Sequence, residues 1–168
     1  MKRRRAIAVL IALLLPAAAR AQKALIIVRH ADKISDSDER LSEAGVARSA
    51  KLAAMLKDAG VTAIYTTNTE RAIDTAKPLA DALRLSVQAY DTRVGAGAKL
   101  DSRPFVERLR KENGGEVVLV VGHSNTVPDL LKTLGCPGEI TIAPGEYDNL
   151  FVVVPKGDGM ATTVRLRY

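Results

Sequence analysis

The sequence predicts one α/β/α layer domain, a mostly parallel central sheet between two helical layers with antiparallel strands at its C-terminal end. Three observations carry that prediction. Ala24–Val28 and Val117–Val121 are short, continuous apolar runs rich in β-branched residues, the pattern of strands covered on both faces. Strand-like and helix-like segments alternate over most of the chain, as parallel strands joined by helical crossovers require. The tail breaks the alternation: Leu150–Val154 and Thr162–Leu166, joined by Pro155-Lys156-Gly157-Asp158-Gly159, read as a hairpin.

The first segment stands outside this fold. Met1-Lys2-Arg3-Arg4-Arg5 is a basic run, Ala6 to Leu15 is an apolar core, and Pro16 breaks it. Ala19-Arg20-Ala21 then sets small residues at the two positions a signal peptidase reads, so cleavage is expected before Gln22. The apolar core is far short of the ~20 residues that span a bilayer, so no stable membrane span is expected once the leader is gone. The expected organisation is a signal peptide over 1–21 and one domain over 22–168, periplasmic or secreted. Removing 21 of the 168 residues leaves 147, ample for one core and too few for two.

Within the domain, the strand over Ala24–Val28 is followed by a polar loop, Asp32 to Arg40, that lies over the site. Ser42, with Ala44-Gly45 behind it, opens a helix whose apolar face is Val46, Ala50, Ala53, Ala54 and Leu56; Gly60 ends it. Thr62–Thr66 is the second strand. The helix from about Thr69 to Leu83 buries Ala72, Ile73, Ala76, Leu79, Ala80 and Leu83, and Pro78 should bend or loosen it. Ser86–Tyr90 is a short third strand, and Asp91–Asp101, with Gly95 and Gly97, is a loop. Ser102-Arg103-Pro104 starts a helix reaching Asn113-Gly114-Gly115, with Pro in its first turn. After the strand ending at Gly122, Thr126 caps a helix that carries Pro128 in its first turn and stops at Leu134-Gly135.

Charge and composition exclude several classes of partner. The chain has 25 basic and 19 acidic residues, but Lys2, Arg3, Arg4, Arg5 and Arg20 leave with the leader, so the mature balance is 20 against 19, or +1. That balance, with four Tyr, two Phe and no Trp, gives neither a basic stripe nor a stacking platform for nucleic acid. Cys136 is the single cysteine, flanked by Gly135 and Pro137, and reads as a buried spectator without a disulfide partner. Two histidines and one cysteine without tight ligand spacing do not make a zinc site, and no cofactor is expected.

Both histidines share one address. His30 follows the first strand with Arg29 immediately before it, and His123 follows Gly122 after the second apolar run, with Ser124 next. The carboxyl ends of parallel strands form the crevice where open α/β sheets bind ligands. A third polar cluster, Tyr65-Thr66-Thr67-Asn68-Thr69-Glu70-Arg71-Ala72, reaches the same rim and puts Arg71 in a first helical turn. A cation there opposes the helix dipole unless an anion lies between them. Taken singly, Arg71 reads equally as a solvated partner of Glu70 or Asp74, and either histidine as a structural residue. Their convergence is what points to an anion and to chemistry on it.

In these segments the sequence resembles the histidine phosphatase superfamily, also called phosphoglycerate-mutase-like, and within it a small exported bacterial member. The resemblance rests on Val28-Arg29-His30-Ala31, Leu41-Ser42-Glu43-Ala44-Gly45, Thr66–Ala72 with Thr75-Ala76, and Val121-Gly122-His123-Ser124. It implies that His30 is the nucleophile, forming a phosphohistidine, and that Arg29, Arg71 and His123 bind the phosphoryl oxygens without a metal. Ser124 or Asn125 could add a neutral donor or cap the following helix.

The chain departs from the family pattern in three places. Ala31 stands where glycine is commonest. The segment Asp91-Thr92-Arg93-Val94-Gly95-Ala96-Gly97 is short and holds no Glu, where larger members carry their general acid. Ser124 follows the second histidine where another branch has Asp. Asp91 is the first candidate acid and Asp32 the second. If neither serves, good leaving groups such as phosphohistidine, phosphoramidates or acyl phosphates are favoured.

The expected function is a metal-independent phosphatase acting on a small phosphorylated substrate through phosphohistidine at His30. The short segment after the third strand leaves little material for a lid, so an open site with loose substrate choice is expected. The alternative is a non-catalytic phosphate- or phosphosugar-binding protein that kept the pocket. The segment Gly138–Asn149 either borders that pocket or closes the sheet edge.

Overall fold

The computed structural model describes residues 22–94, 99–156 and 158–168, the side chains of 93 and 94 excepted. The expected leader over 1–21 lies outside the described residues, as do Gly95, Gly97 and Gly157. The elements run β1 (Ala24–Arg29), α1 (Glu43–Leu56), β2 (Val61–Thr67), α2 (Glu70–Leu83), β3 (Val87–Tyr90), β4 (Arg93–Val94), β5 (Lys99–Leu100), α3 (Arg103–Glu112), β6 (Val117–Gly122), α4 (Thr126–Thr133), β7 (Asn149–Pro155) and β8 (Ala161–Arg167).

Six strands form one sheet in the order β3-β2-β6-β1-β7-β8. The first four are parallel; β7 runs antiparallel to β1, and β8 to β7. The two runs that read as doubly covered strands, β1 and β6, are neighbours near its centre. Side chains alternate across a strand, so β1 sends Leu25 and Ile27 to one face and Ile26 and Val28 to the other. Leu25 and Ile27, with Val118 and Val120 of β6, meet Phe105, Leu109, Leu130 and Leu131 of α3 and α4. Ile26 and Val28, with Leu119 and Val121, meet Leu52, Leu56, Ala72, Ala76 and Leu79 of α1 and α2. This is the expected three-layer arrangement.

Four local expectations are corrected. On α1 the buried residues are Gly45, Ser49, Leu52 and Leu56, while Val46, Ala50 and Ala54 face solvent. Close approach at Gly45 sets that rotation: a Cβ there would lie 2.1 Å from the Asp32 carbonyl oxygen. Ile73 of α2 is exposed, and Thr75 takes the inward position beside Ala76. The stretch after β3 is not wholly a loop, because β4 and β5 pair as a small antiparallel ribbon. Finally, Asn125 rather than Thr126 is the N-cap of α4; the Thr126 hydroxyl turns back to accept from His123 N at 2.8 Å. Ser42 does cap α1, accepting from Gly45 N at 3.2 Å. Cys136 is free and buried, as expected, and burial pushes its thiol pKa up.

Candidate active site

The register of β1 on β6 sets the two histidines side by side. Arg29 stands opposite Gly122, and His30 N donates to Gly122 O at 2.9 Å, so the next residue of each strand leaves the sheet at the same point. The ring centroids of His30 and His123 are 5.2 Å apart. Gly122 is required here: a Cβ would lie 2.7 Å from Thr126 Oγ1 and 2.8 Å from the Tyr90 hydroxyl.

His30 is 3% exposed. Its Nδ1 lies 2.8 Å from Ala31 O, which can only accept, so Nδ1 carries the proton and the lone pair is on Nε2. Burial drives its pKa down to about 3; the Ala31 hydrogen bond works the other way, and His123, Arg29 and Arg71 add to the lowering. The imidazole is therefore neutral at physiological pH. Thr75 fixes the backbone beside it: Ala31 N donates to Thr75 Oγ1 at 2.9 Å, and that hydroxyl donates to Arg71 O at 2.7 Å. One side chain thus ties the His30 segment to the first turn of α2.

β2 lies on the other side of β6 and brings Thr67 to His123, with Oγ1 at 2.8 Å from Nε2. Arg71 Nη2 approaches His123 Nδ1 at 3.4 Å. A guanidinium only donates, so Nδ1 accepts and the neutral ring carries its proton on Nε2, directed to Thr67. Arg71 Nη1 meets the Glu39 carboxylate from the loop after β1, but off the line of a hydrogen bond; Nε and Nη1 make none among the described residues. The Arg71 side chain is 13% exposed and that of Glu39 58%.

Arg29 is also buried, and burial lowers its pKa while the nearby Tyr147 opposes that shift. Its Nη1 donates to the carbonyls of Ala143 (2.9 Å), Pro144 (2.6 Å) and Glu146 (3.2 Å). The guanidinium carbon lies 4.1 Å from the centroid of the Tyr147 ring, and Nε makes no hydrogen bond among the described residues. The Gly138–Asn149 segment therefore borders the site.

A cleft of about 1020 Å³ opens over this rim, and Arg29, His30, Arg71 and His123 all line it. Ser124 and Asn125 line it too, as does Asp91, exposed at the end of β3. Asp32 does not: its carboxylate is held by Arg48 Nε at 2.6 Å, behind the site. Of the two candidate acids, only Asp91 reaches the cleft.

From sequence alone Glu39, Thr75 and Tyr147 had no role in the site, although Thr75 stands in the segment that resembles the family and Tyr147 in the Gly138–Asn149 stretch expected to border the pocket or close the sheet edge. Thr75 was detectable, standing one helical turn after Arg71 on the same face. For Tyr147 the segment was a candidate pocket border, but its contact with His30 follows only from the placement of β7 beside β1.

A mostly parallel α/β sheet thus brings two histidines and two arginines to one rim, an arrangement with the charge and donors to hold a phosphoryl-sized anion. The family model of the histidine phosphatase superfamily (branch 1) matches residues 25–92, from β1 into the segment after β3. Among solved structures, the chain is similar to the protein histidine phosphatase SixA complexed with tungstate, at 24% identity and a TM-score of 0.66, covering 86% of this chain and 96% of that one. A mycobacterial glucosyl-3-phosphoglycerate phosphatase is 17% identical, with a TM-score of 0.63 over 87% of this chain and 98% of that one. A phosphoglycerate mutase from Bacillus anthracis is 18% identical, with a TM-score of 0.65 over 88% and 94%. No curated protein sequence matches the chain significantly. Over residues 25–92 the chain matches the histidine phosphatase superfamily model, and its fold is that of the solved structures just named.

Proposed function

We propose that the protein is a phosphatase that hydrolyses phosphomonoesters and related phosphoryl compounds through a phosphohistidine on His30, with no metal ion. One observation carries the reading. A buried imidazole, held neutral with its lone pair on Nε2, stands between Arg29 and Arg71, whose buried Nε atoms make no hydrogen bond among the described residues.

In the first step Nε2 attacks phosphorus, the N–P bond forms and the bond to the leaving oxygen breaks. Asp91 supplies the proton that oxygen takes. In the second step water attacks phosphorus, the N–P bond breaks, and Asp91 recovers a proton from the water. Arg29 Nε, Arg71 and His123 bear on the phosphoryl oxygens, where charge accumulates in transit. Asp91 is exposed, so proton delivery is the weakest element, and substrates with good leaving groups are favoured. Phosphohistidine is one, and the likeness to a protein histidine phosphatase supports including it. The basic and apolar leader supports an exported protein, to be tested by N-terminal sequencing of the protein recovered from cells.

Release of phosphate from para-nitrophenyl phosphate in the presence of a chelator, beside His30→Ala, tests the reading. Turnover that survives chelation and disappears in the variant supports it. Absence of turnover, with phosphate still raising the melting temperature, would replace it with a phosphate-binding protein.

A further inference from the structure

Arg29 is expected to bind phosphate, yet most of what it touches is protein. Its Nη1 is spent on the carbonyls of Ala143, Pro144 and Glu146, in the segment that leads into β7. That segment carries Tyr147, whose ring meets both principal groups of the site: its centroid is 4.1 Å from the Arg29 guanidinium carbon and 5.7 Å from the His30 ring centroid, tilted at 55°. On the His30 ring, His123 stands 5.2 Å away, edge-on at 62°. The nucleophile is thus held between two rings, with one hydrogen bond at Nδ1 to fix its rotation.

We propose that Tyr147 is a positioning residue: its ring, clamped by Arg29, fixes the direction of the His30 lone pair and the plane of the Arg29 guanidinium. This rests on the phosphatase reading above. Neither contact uses the phenol oxygen, so the aromatic ring is the working part. Imidazole and guanidinium are both planar groups whose useful atoms lie in the plane, and a flat neighbour restricts rotation of each. Loss of the ring frees the imidazole to rotate about the Nδ1 hydrogen bond and frees Arg29 Nε from its aim. A misplacement of about 1 Å at a reacting atom can lower a rate ~100-fold.

The experiment compares wild type, Tyr147→Phe and Tyr147→Leu in the purified protein. It reads kcat and KM with para-nitrophenyl phosphate, the Kd for inorganic phosphate, the melting temperature and the imidazole ¹⁵N shifts of His30. Phe should stay within about twofold of wild type in every readout. Leu should lose at least tenfold in kcat, bind phosphate several-fold more weakly, and replace the single Nδ1-protonated form by a tautomer mixture, at a melting temperature close to that of Phe. Wild-type kinetics, phosphate affinity and tautomer in Leu would overturn the proposal. So would a Phe variant as impaired as Leu, since the hydroxyl would then be acting. If wild type itself turns nothing over, the phosphatase reading fails, and phosphate affinity with the ¹⁵N shifts still decides the role of Tyr147.

Discussion

Protonation of His30 should cost folding free energy over a defined pH window, and the size of that cost follows from its burial. The ring is 3% exposed and its pKa is driven down to about 3, against about 6.5 for an unfolded histidine. Between those values the unfolded chain binds a proton at His30 that the folded chain refuses. Stability must therefore rise with pH across the window and fall as pH drops from 6.5 towards 3, with a limiting slope of about 1.4 kcal/mol per pH unit. Asp38 and Asp101 are held near 2 by hydrogen bonds from Arg40 and Arg103 respectively, so their contributions are lost only below the ordinary carboxylate range. The clean interval is pH 6.5 to 4.5, over which His30 should remove about 2 kcal/mol, a sizeable share of a ~5–15 kcal/mol domain stability. Urea unfolding at several pH values, for wild type and His30→Gln, reads the difference in slope. The wild-type curve should fall away from the variant as pH drops, whatever their offset at pH 7. Parallel curves would mean that His30 titrates freely in the folded protein, and the argument for a permanently neutral nucleophile would collapse.

Three further changes bear on the site. Glu39→Gln removes the carboxylate resting on Arg71; with Glu39 itself mostly in solvent the pair is worth about 1 kcal/mol, so inorganic phosphate should bind roughly fivefold more tightly, and weaker binding in calorimetry would show that Glu39 holds Arg71 in place. Asp91→Asn should lower turnover of an alkyl phosphomonoester by ~100-fold or more while barely touching para-nitrophenyl phosphate, whose leaving group departs unaided; equal losses on both would remove Asp91 as the acid. Thr75→Val leaves Ala31 N without its acceptor and should cost about 1–3 kcal/mol in urea unfolding together with activity, whereas Thr75→Ser should retain both; a Ser variant as damaged as Val would shift the explanation to packing.

The parts of this molecule legible in its sequence are those where one short segment decides the outcome. Val28-Arg29-His30 and Val121-Gly122-His123 are strand ends, and strand ends of a parallel sheet share a rim whatever the helices between them do. Helix orientation was less legible. On α1, Val46 and three alanines suggested an apolar face, but alanine carries little burial preference to steer a helix. The contact that rotates α1 is a backbone approach between Gly45 and Asp32 that no hydrophobic pattern encodes. Asp32 itself looked like an acid two residues after the nucleophile. Its partner Arg48 comes from α1, so only the packed helix shows that the carboxylate is already engaged. The contact of Tyr147 with His30 was illegible for a similar reason, because it depends on a strand that joins β1 from the far end of the chain.

The electrostatics of the rim explain why such a site is tolerable. Arg29 and Arg71 lower the pKa of His30, and Arg71 also lowers that of Arg29, so the cations work against one another. Arg71 also stands in the first turn of α2, against the dipole of its own helix. Thr69, at the N-cap of that helix, makes no capping bond, and its hydroxyl is buried without a hydrogen-bond partner among the described residues. The Thr69 hydroxyl, Arg29 Nε and Arg71 Nε, all on residues that line the cleft, are buried donors that ordinary packing would have paired. Each is a cost to the free protein of the order of a lost hydrogen bond, roughly 1–3 kcal/mol for a fully desolvated group. A tetrahedral dianion at the uncapped end of α2 would pair those donors and relieve the repulsion at once. The Glu39 carboxylate does part of this by touching Arg71, but from an exposed loop and off the hydrogen-bond line. It can neutralise charge there without competing strongly for the site. The neutral His30 gains nothing from a bound anion as a mere ligand, and a lone pair kept free at such expense supports the proposed attack on phosphorus.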